Sequence, residues 1–305
     1  MEKNVESKYK KLIDICFRLV KRTIRAFSGK FSKRTYTQHQ HAVTILLMKY
    51  EDKPYRDIAD LIEVMCKYLG FKESIPHFTT LQKFFERIPT YIWDFLIAKS
   101  YRLFKTDIAN AAIDTTGYKL RHSSYYYEQQ VDKKVRKKRF MKHIISVDTH
   151  NQGIIASYDR RSHISDNKTL KPVARKSKKV VTLGNVTADK GFDSEENHDC
   201  INDELGGYAV IPPRNEDVPV WRTRGKYRKR MRHHFPKEIY NQRPKVETVN
   251  SVEKRKFGDE LRSKLLKMQR REMKVIDIVY NIHRYLSYYV SAFIGFLQSL
   301  QKGFV

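Results

Sequence analysis

The chain has 305 residues, and its 61 lysines and arginines against 34 aspartates and glutamates give a formal net charge of +27 at pH 7. This excess of positive charge predicts a nucleic acid partner, or less readily an acidic membrane surface. Hydrophobic residues make up 40% of the chain and aromatic residues 12%. That content excludes a disordered basic tail and predicts a folded protein.

The cysteines and the apolar segments indicate the compartment. Cys16, Cys66 and Cys200 lie far apart and form no Cys-x-x-Cys pair, which argues against a disulfide framework and a cysteine zinc site. The stretch MEKNVESKYKKL lacks the apolar core of a signal peptide, and YYVSAFIGFL is too short to span a bilayer. We therefore expect a cytoplasmic protein that associates with the nucleoid.

Residues 1–106 form the first of two predicted domains, which is all helical. Apolar residues recur three and four positions apart in HAVTILLMKY, PYRDIADLIEVMCKYLGF, FTTLQKFFERI and TYIWDFLIAKSYRLF. The segments DIADLIEVM and HFTTLQKFFERI, joined by a turn, are similar to a helix-turn-helix whose second helix could enter a DNA groove. A plain helical bundle explains the same pattern equally well.

Residues 107–290 form the second predicted domain, and residues 291–305 the end of a C-terminal helix. Short apolar runs joined by turn signals predict strands in ANAAIDTTG, KHIISVDT, GIIASYD, VVTLGNVTA and YAVIPPR. Helix-compatible segments follow the third, fourth and fifth strands. This mixed order predicts an α/β sheet flanked by helices.

Acidic residues stand at informative places in this domain. Asp114 follows the apolar run of the first strand and is predicted at or near its end, and Asp189 follows the fourth strand. If the two strands are neighbours, a helix packed beside the sheet can add Glu247. Three carboxylates in one site repel unless cations lie between them, and hard oxygen ligands suit Mg²⁺ or Mn²⁺. Two such ions can catalyse displacement at a phosphodiester. Taken singly, each acid could instead be a turn residue or a helix cap.

The segment YNQRPKVETVNSVEK, residues 240–254, contains a polar stripe. Tyr240, Arg243, Glu247 and Lys254 are spaced by 3, 4 and 7 residues, the steps that return to one side of a helix. Pro244 disfavours helix at Arg243, so the helix is also expected to begin at Pro244 and leave Tyr240 and Arg243 on its approach.

These motifs together resemble those of DDE-type insertion-sequence transposases. AAIDTTG resembles the first catalytic motif of that family and TADKGFDS the second, while the polar stripe matches its Tyr-x2-Arg-x3-Glu-x6-Lys signature position by position. The resemblance covers roughly residues 108–284. It implies a ribonuclease-H-like catalytic domain with a mixed five-stranded sheet.

The resemblance also implies roles for individual residues. Asp114, Asp189 and Glu247 would be the catalytic residues and the ligands of two Mg²⁺ or Mn²⁺ ions. Arg243 and Lys254 would hold DNA phosphates, and Tyr240 would stack or hydrogen-bond near the strand end. Glu253 is a rival for the third acid, although it falls on the apolar side of the helix.

A basic segment lies between the last predicted strand and the signature, within a predicted insertion at about residues 214–238. WRTRGKYRKRMRHH carries seven lysines or arginines in fourteen residues and no acid. Such a run is typical of a flexible solvated loop, and it also suits phosphate contacts and stacking on unpaired bases. The candidate DNA-binding residues are Trp221, Arg222, Arg224, Lys226, Arg228, Lys229 and Arg230. A second basic run, residues 133–142, is predicted to form a hairpin beside the first strand.

The resemblance implies a two-step reaction on double-stranded DNA. A phosphodiester at the end of the element would be hydrolysed, and the freed 3′-OH would attack target DNA. The helical domain would bind the terminal inverted repeats, and a homodimer would hold both ends. Two alternatives stay open: a transposase-derived DNA-binding protein that no longer cuts, and a metal-dependent nuclease without strand transfer.

Overall fold

The computed structural model describes residues 2–72, 74–121, 140–161, 165–214 and 217–302, with side chains from residue 8 to residue 288. Most of the basic run at 133–142 therefore lies outside the described residues. The chain divides into two compact units: Met1–Phe104 with Val275–Val305, and Lys105–Lys274. The predicted domain roles stay predictions. Within the described residues, no helix is both long and apolar enough to cross a bilayer.

The first unit is helical, as the 3.6-residue periodicity predicts. Thr37 caps its second helix in a reciprocal arrangement with Gln40, and buried apolar residues such as Leu46 and Trp93 form its core. Gly70, at φ 70°, ends a helix in the left-handed region that glycine tolerates. The helices are α1 (Glu2–Lys21), α2 (Gln38–Tyr50), α3 (Ile58–Val64), α4 (Cys66–Leu69), α5 (Phe78–Arg87) and α6 (Thr90–Tyr101). The part of the last helix from Val275 onward also belongs to this unit.

The second unit contains a mixed sheet of six strands with the order β3-β2-β1-β4-β5, and β6 pairs with the end of β1. The pairs β1–β2 and β2–β3 are antiparallel, whereas β1–β4, β4–β5 and β1–β6 are parallel. The strands are β1 (Ile108–Leu120), β2 (Phe140–Asp148), β3 (Ile154–Arg161), β4 (Thr182–Ala188), β5 (Tyr208–Val210) and β6 (Glu260–Leu261). The sheet thus has one more strand than the five predicted, because two residues carry too little pattern to indicate a strand.

Helices flank this sheet in the predicted order. They are α7 (Leu170–Lys178), α8 (Glu195–Asp199), α9 (Lys226–His233), α10 (Lys237–Tyr240), α11 (Pro244–Phe257) and the first part, up to Lys274, of α12 (Leu266–Lys302). Helix α7 packs on β2, β3 and β4, and α11 packs on β1 and β2. Four residues of β1 in the run from Ala109 to Ile113 are fully buried, as expected for a strand covered on both faces.

Strand β1 is longer than its sequence pattern indicated. The prediction that Asp114 lies at or near the end of the first strand is wrong, because β1 continues to Leu120. The continuation is stabilised by antiparallel pairing with β2 as far as Lys119 opposite Phe140, and by β6. What ends beside Asp114 is the neighbouring strand β4, whose last pair with β1 joins Ile113 to Ala188.

A buried ion cluster ties the start of α12 to the sheet. The Lys274 ammonium lies 2.8 Å from Asp159 Oδ2, and His143 Nδ1 lies 2.6 Å from Asp159 Oδ1. Burial opposes ionisation of the Asp159 carboxyl, but Lys274 and His143 outweigh burial and lower its pKa. The cluster therefore holds β2, β3 and the first turns of α12 together.

The buried face of α11 provides a test of this packing. Phe257 is 1% exposed, so Phe257→Ala is expected to cost about 3–5 kcal/mol of unfolding free energy through lost burial and a residual cavity. Denaturant unfolding followed by circular dichroism measures the loss. The matched control is Arg255→Ala on the exposed face of the same helix, and an equal loss in both variants would contradict the packing.

Candidate active site

The two aspartates lie side by side where β4 ends against β1. Ile113 and Ala188 are paired across the parallel strands, so the next residues are Asp114, still in β1, and Asp189, the first residue after β4. Adjacent strands are about 4.8 Å apart, which places the two acids within reach of each other. The Asp189 carboxylate acts electrostatically on that of Asp114. Predicted from separate motifs, the two acids are brought together by strand pairing.

Helix α11 completes the surroundings of Asp114. The Asn250 side-chain amide donates to Asp114 Oδ2 at 3.1 Å, and Arg243 Nη1 lies 3.8 Å from Asp114 Oδ1. Burial nevertheless raises the pKa of the Asp114 carboxyl, and the negative charges of Glu247 and Asp189 raise it further. A backbone hydrogen bond at Thr115 and the charge of Arg243 offset only part of this rise. The positive charge near Asp114 is therefore too small to offset the cost of burying its ionised carboxylate.

Arg243 links the first acid to the third. Its Nη2 donates to Glu247 Oε1 at 2.6 Å, while its Nη1 faces Asp114. Glu247 lies in the first turn of α11, and its side chain is 54% exposed. The guanidinium thus stands between two of the three predicted catalytic carboxylates and screens their repulsion.

The helix begins at Pro244, as the sequence indicated. Arg243 has helical backbone angles (φ −56°, ψ −41°) although it precedes a proline, and its carbonyl accepts from the Val246 N–H at 3.0 Å. Tyr240 ends the separate short helix α10. The four signature residues therefore do not lie on one continuous helix. Only Glu247 and Lys254 follow its repeat.

Tyr240 and Lys254 lie at different places around the acids. The Arg243 guanidinium carbon lies 5.9 Å from the centroid of the Tyr240 ring. Burial raises the pKa of the Tyr240 hydroxyl, and the charges of Asp189 and Glu247 also raise it. The Lys254 ammonium lies 5.5 Å from the centroid of the Tyr118 ring, and burial lowers its pKa although the negative charge of Asp114 acts against this.

Glu253, the rival third acid, faces the protein interior. Its side chain is fully buried, and its carboxylate accepts from the Tyr118 hydroxyl at 3.4 Å. Val246, Val249 and Phe257 are buried along the same helix. Of the two glutamates, Glu247 is the one whose charge acts on Asp114. This arrangement favours Glu247 as the third acid.

The donor set fits a hard divalent cation. Asp114, Asp189 and Glu247 offer only carboxylate oxygens, and the raised pKa of Asp114 shows that its ionised form would gain from nearby positive charge. Within the part of the chain that the structure describes, the oxygens of these three residues do not all lie within 4.8 Å of one another. One ion bound by all three would require a closer approach, most easily by the exposed Glu247.

The turn that follows Asp189 is clamped by a network that the sequence analysis missed. Arg214 donates from Nε to the Lys190 carbonyl at 2.9 Å, contacts the Gly191 carbonyl, and donates its backbone N–H to Asp193 Oδ2 at 3.0 Å. Asp193 also accepts from Arg228 at 2.7 Å. The only sequence signal for this network was the aspartate at the end of KGFD in the second motif.

The basic segment 221–234 is ordered rather than a flexible loop. Glu195 accepts the backbone N–H groups of Tyr227 and Arg228 at the start of α9, and Tyr227 packs inward with its hydroxyl on Asp203. Such a carboxylate satisfies N–H groups that the helix itself leaves unpaired. Gly225, at φ 99°, precedes the helix where an added Cβ would collide with Glu195. The segment is thus folded onto α8.

The predicted DNA-binding residues of this segment differ in their surroundings. Arg228 pairs with Asp193, and the Arg230 guanidinium lies over the rings of Tyr208 and Tyr227. Trp221 is 73% exposed, with the Arg222 guanidinium carbon 4.8 Å from its ring centroid. The remaining three residues are exposed: Arg224, Lys226 and Lys229.

The clamp around Asp193 predicts a pH-dependent stability. Burial opposes ionisation of Asp193, but the His198 ring 3.7 Å away and the hydrogen bonds from Arg228 outweigh burial and lower its pKa to about 2. Asp193→Asn is therefore expected to cost ~2–4 kcal/mol of unfolding free energy at pH 7. Because the folded pKa lies below the unfolded value of about 3.9, the difference from wild type should shrink as pH falls from about 4 to about 2.

Urea unfolding across this pH range measures that difference. The control is Glu196→Gln, which removes an exposed carboxylate on the adjoining helix and should change stability little. A loss for Asp193→Asn that stays constant down to pH about 2 would contradict the role of its charge.

Comparisons with known proteins place the chain in a family. Residues 106–282 match the family model described as Transposase DDE domain. No curated protein matches the chain significantly. Among solved structures, the chain is similar to a piggyBac transposase in a synaptic complex with hairpin DNA, with a TM-score of 0.49 and 13% identity, covering 92% of this chain and 76% of that chain. Because the family match spans more than half of its residues, the chain belongs to the transposase DDE domain family.

Proposed function

We propose that the protein is a metal-dependent DNA transposase that cleaves phosphodiesters at the ends of a mobile element and joins the freed 3′-OH to target DNA. The observation that carries the proposal is that Asp114 lies beside Asp189 where β4 ends and is linked to Glu247 through Arg243. Asp114, Asp189 and Glu247 would hold two Mg²⁺ or Mn²⁺ ions, which activate the attacking oxygen and stabilise the leaving oxygen of an in-line displacement.

The cationic residues around the acids would position the DNA. Arg243 presents a planar guanidinium that can turn from Glu247 to the oxygens of a bound phosphate, for which its paired N–H donors are suited. Lys254 offers a second cation near Asp114, and Tyr240 offers a hydroxyl and a ring face beside Arg243. The contacts of Arg243, Lys254 and Tyr240 thus support a role for these residues in positioning the phosphate.

The wider surface supports DNA as the substrate. A net charge of +27 favours a polyanion, and phosphate contacts give most of the affinity of such proteins for DNA. In this proposal the helical unit binds the terminal inverted repeats and a homodimer on DNA holds both ends.

The cleavage assay uses a supercoiled plasmid that carries the sequences flanking the encoding gene. We expect nicking and linearisation with Mg²⁺ or Mn²⁺, and a loss of at least about a hundredfold in rate for Asp114→Asn and for Glu247→Gln. Gel electrophoresis measures cleavage, and joined products of changed length report strand transfer. The charge-matched control is Glu253→Gln, which is expected to keep cleavage.

The possible outcomes separate the competing functions. Cleavage that persists in Asp114→Asn would show that the site is wrongly assigned. A wild-type protein that binds DNA but does not nick it even with Mn²⁺ would be a DNA-binding protein. Nicking without joined products would indicate a metal-dependent nuclease without strand transfer.

The metal site can also be tested without catalysis. Because burial raises the pKa of Asp114, the ionised side chain costs stability above its folded pKa and costs nothing below the unfolded value of about 3.9. Asp114→Asn should therefore raise the unfolding midpoint at pH 7, with a gain that disappears below pH about 4. Mn²⁺ should raise the midpoint of the wild type and not that of Asp114→Asn, as differential scanning fluorimetry would show. Equal stabilisation of both proteins by Mn²⁺ would place the ion elsewhere.

A further inference from the structure

Four arginines converge on one surface pocket in the ordered basic segment. Arg222, Arg224, Arg228 and Arg232 line a cavity of about 220 Å³ together with Thr223. None of the described residues that line it is acidic. Asp193 already pairs with Arg228, but like charges held around one cavity still repel one another, and an anion at the cavity would reduce that cost. The composition of the lining therefore selects for a negatively charged ligand.

The fold holds these arginines in place rather than leaving them to move independently. Helix α9 carries Arg228 and Arg232 four residues apart, which puts both on one face. Arg228 forms an ion pair with Asp193, and Arg232 donates to the buried hydroxyl of Thr223 at 3.1 Å. Because the arginines are already held in place, less side-chain entropy is lost when a ligand binds.

We propose that this arginine pocket binds a backbone phosphate of DNA. Guanidinium groups donate pairs of hydrogen bonds that match phosphate oxygens, and several of them around one phosphate exploit this geometry. The cavity has room for a phosphate group with a few waters, since each water occupies about 30 Å³ in the liquid. The inference rests on the proposed function, since it names which residues contact the DNA.

The location of the pocket connects it to the candidate active site. Arg228, which lines the cavity, also donates to Asp193, and Asp193 ends the turn that begins at Asp189. A phosphate held in the pocket is thus anchored to the same turn as the second catalytic acid. The pocket would fix the DNA backbone at a set distance from the scissile phosphate.

The proposal predicts different effects for cations inside and outside the pocket. Arg224 lines the pocket, whereas Lys178 is an exposed cation at the end of α7 that does not line it. Arg224→Ala should weaken binding of a fluorescein-labelled duplex by roughly threefold to tenfold at about 0.1 M KCl, and reduce the salt slope by about 1. Lys178→Ala, the control of equal charge change, should weaken binding by less than about twofold and leave the slope unchanged.

Fluorescence anisotropy with the full chain at several KCl concentrations measures these quantities, and circular dichroism checks that the variants are folded. The double variant Arg222→Ala/Arg224→Ala should lose more affinity than Arg224→Ala alone. Equal losses for Arg224→Ala and Lys178→Ala would overturn the proposed phosphate site in the pocket and leave only general charge attraction. That result would not touch the proposed function, which fails instead if the wild type does not bind DNA.

A second arm uses inorganic phosphate to identify the source of the ligand. If the pocket serves DNA, Arg224→Ala must lose affinity for the duplex, whatever its response to free phosphate. Suppose instead that inorganic phosphate raises the unfolding midpoint of the wild type but not of Arg224→Ala, while both proteins bind DNA equally. The pocket would then take a free phosphate, and the proposal would be overturned.

Discussion

The cost of ionising the half-buried Asp114 beside two other carboxylates is the constraint on which the candidate site depends. Strand pairing forces Asp114 beside Asp189, and burial then makes the charge of Asp114 costly. Arg243 and Asn250 supply partial compensation from the start and the middle of α11. Positive charge beside Asp114 would therefore lower the cost of ionising it. A divalent cation or the Arg243 guanidinium can supply that charge.

The lysines and arginines of the chain have two physical roles that composition alone cannot distinguish. Some cations are internal parts of the fold: Lys274 pairs with buried Asp159, and Arg228 holds Asp193 behind the Asp189 turn. Others, such as Arg224 and Lys229, face solvent. The count of 61 lysines and arginines thus overstates the cations open to DNA, because some of them are paired internally, whereas the net charge of +27 already subtracts such pairs. The affinity for a polyanion depends on where the remaining cations converge.

The order of strands and helices around the acids could be predicted because short apolar runs and turn residues mark these elements in the sequence. The pairing of β1 with β4 was only a condition of the sequence analysis, and it is the strand pairing in the structure that brings Asp114 and Asp189 together. The length of β1 could not be predicted, since its second half, Thr115–Leu120, is stabilised by pairing with β2 and β6 rather than by its own pattern. The clamp formed by Arg214, Asp193 and Arg228 was equally invisible, because its members are up to 35 residues apart.

Pro244 illustrates how one residue shapes the site through the backbone. Proline suits the first turn of a helix, so α11 starts there and its first turn carries Glu247. The same start leaves Arg243 just outside the regular helix, where its side chain can reach back to Glu247 and across to Asp114. Asn250, two turns further along, points to Asp114 rather than into an apolar core. The side-chain N–H of Asn250, on the buried side of α11, is therefore paired with the carboxylate whose partial burial makes positive charge favourable at the site.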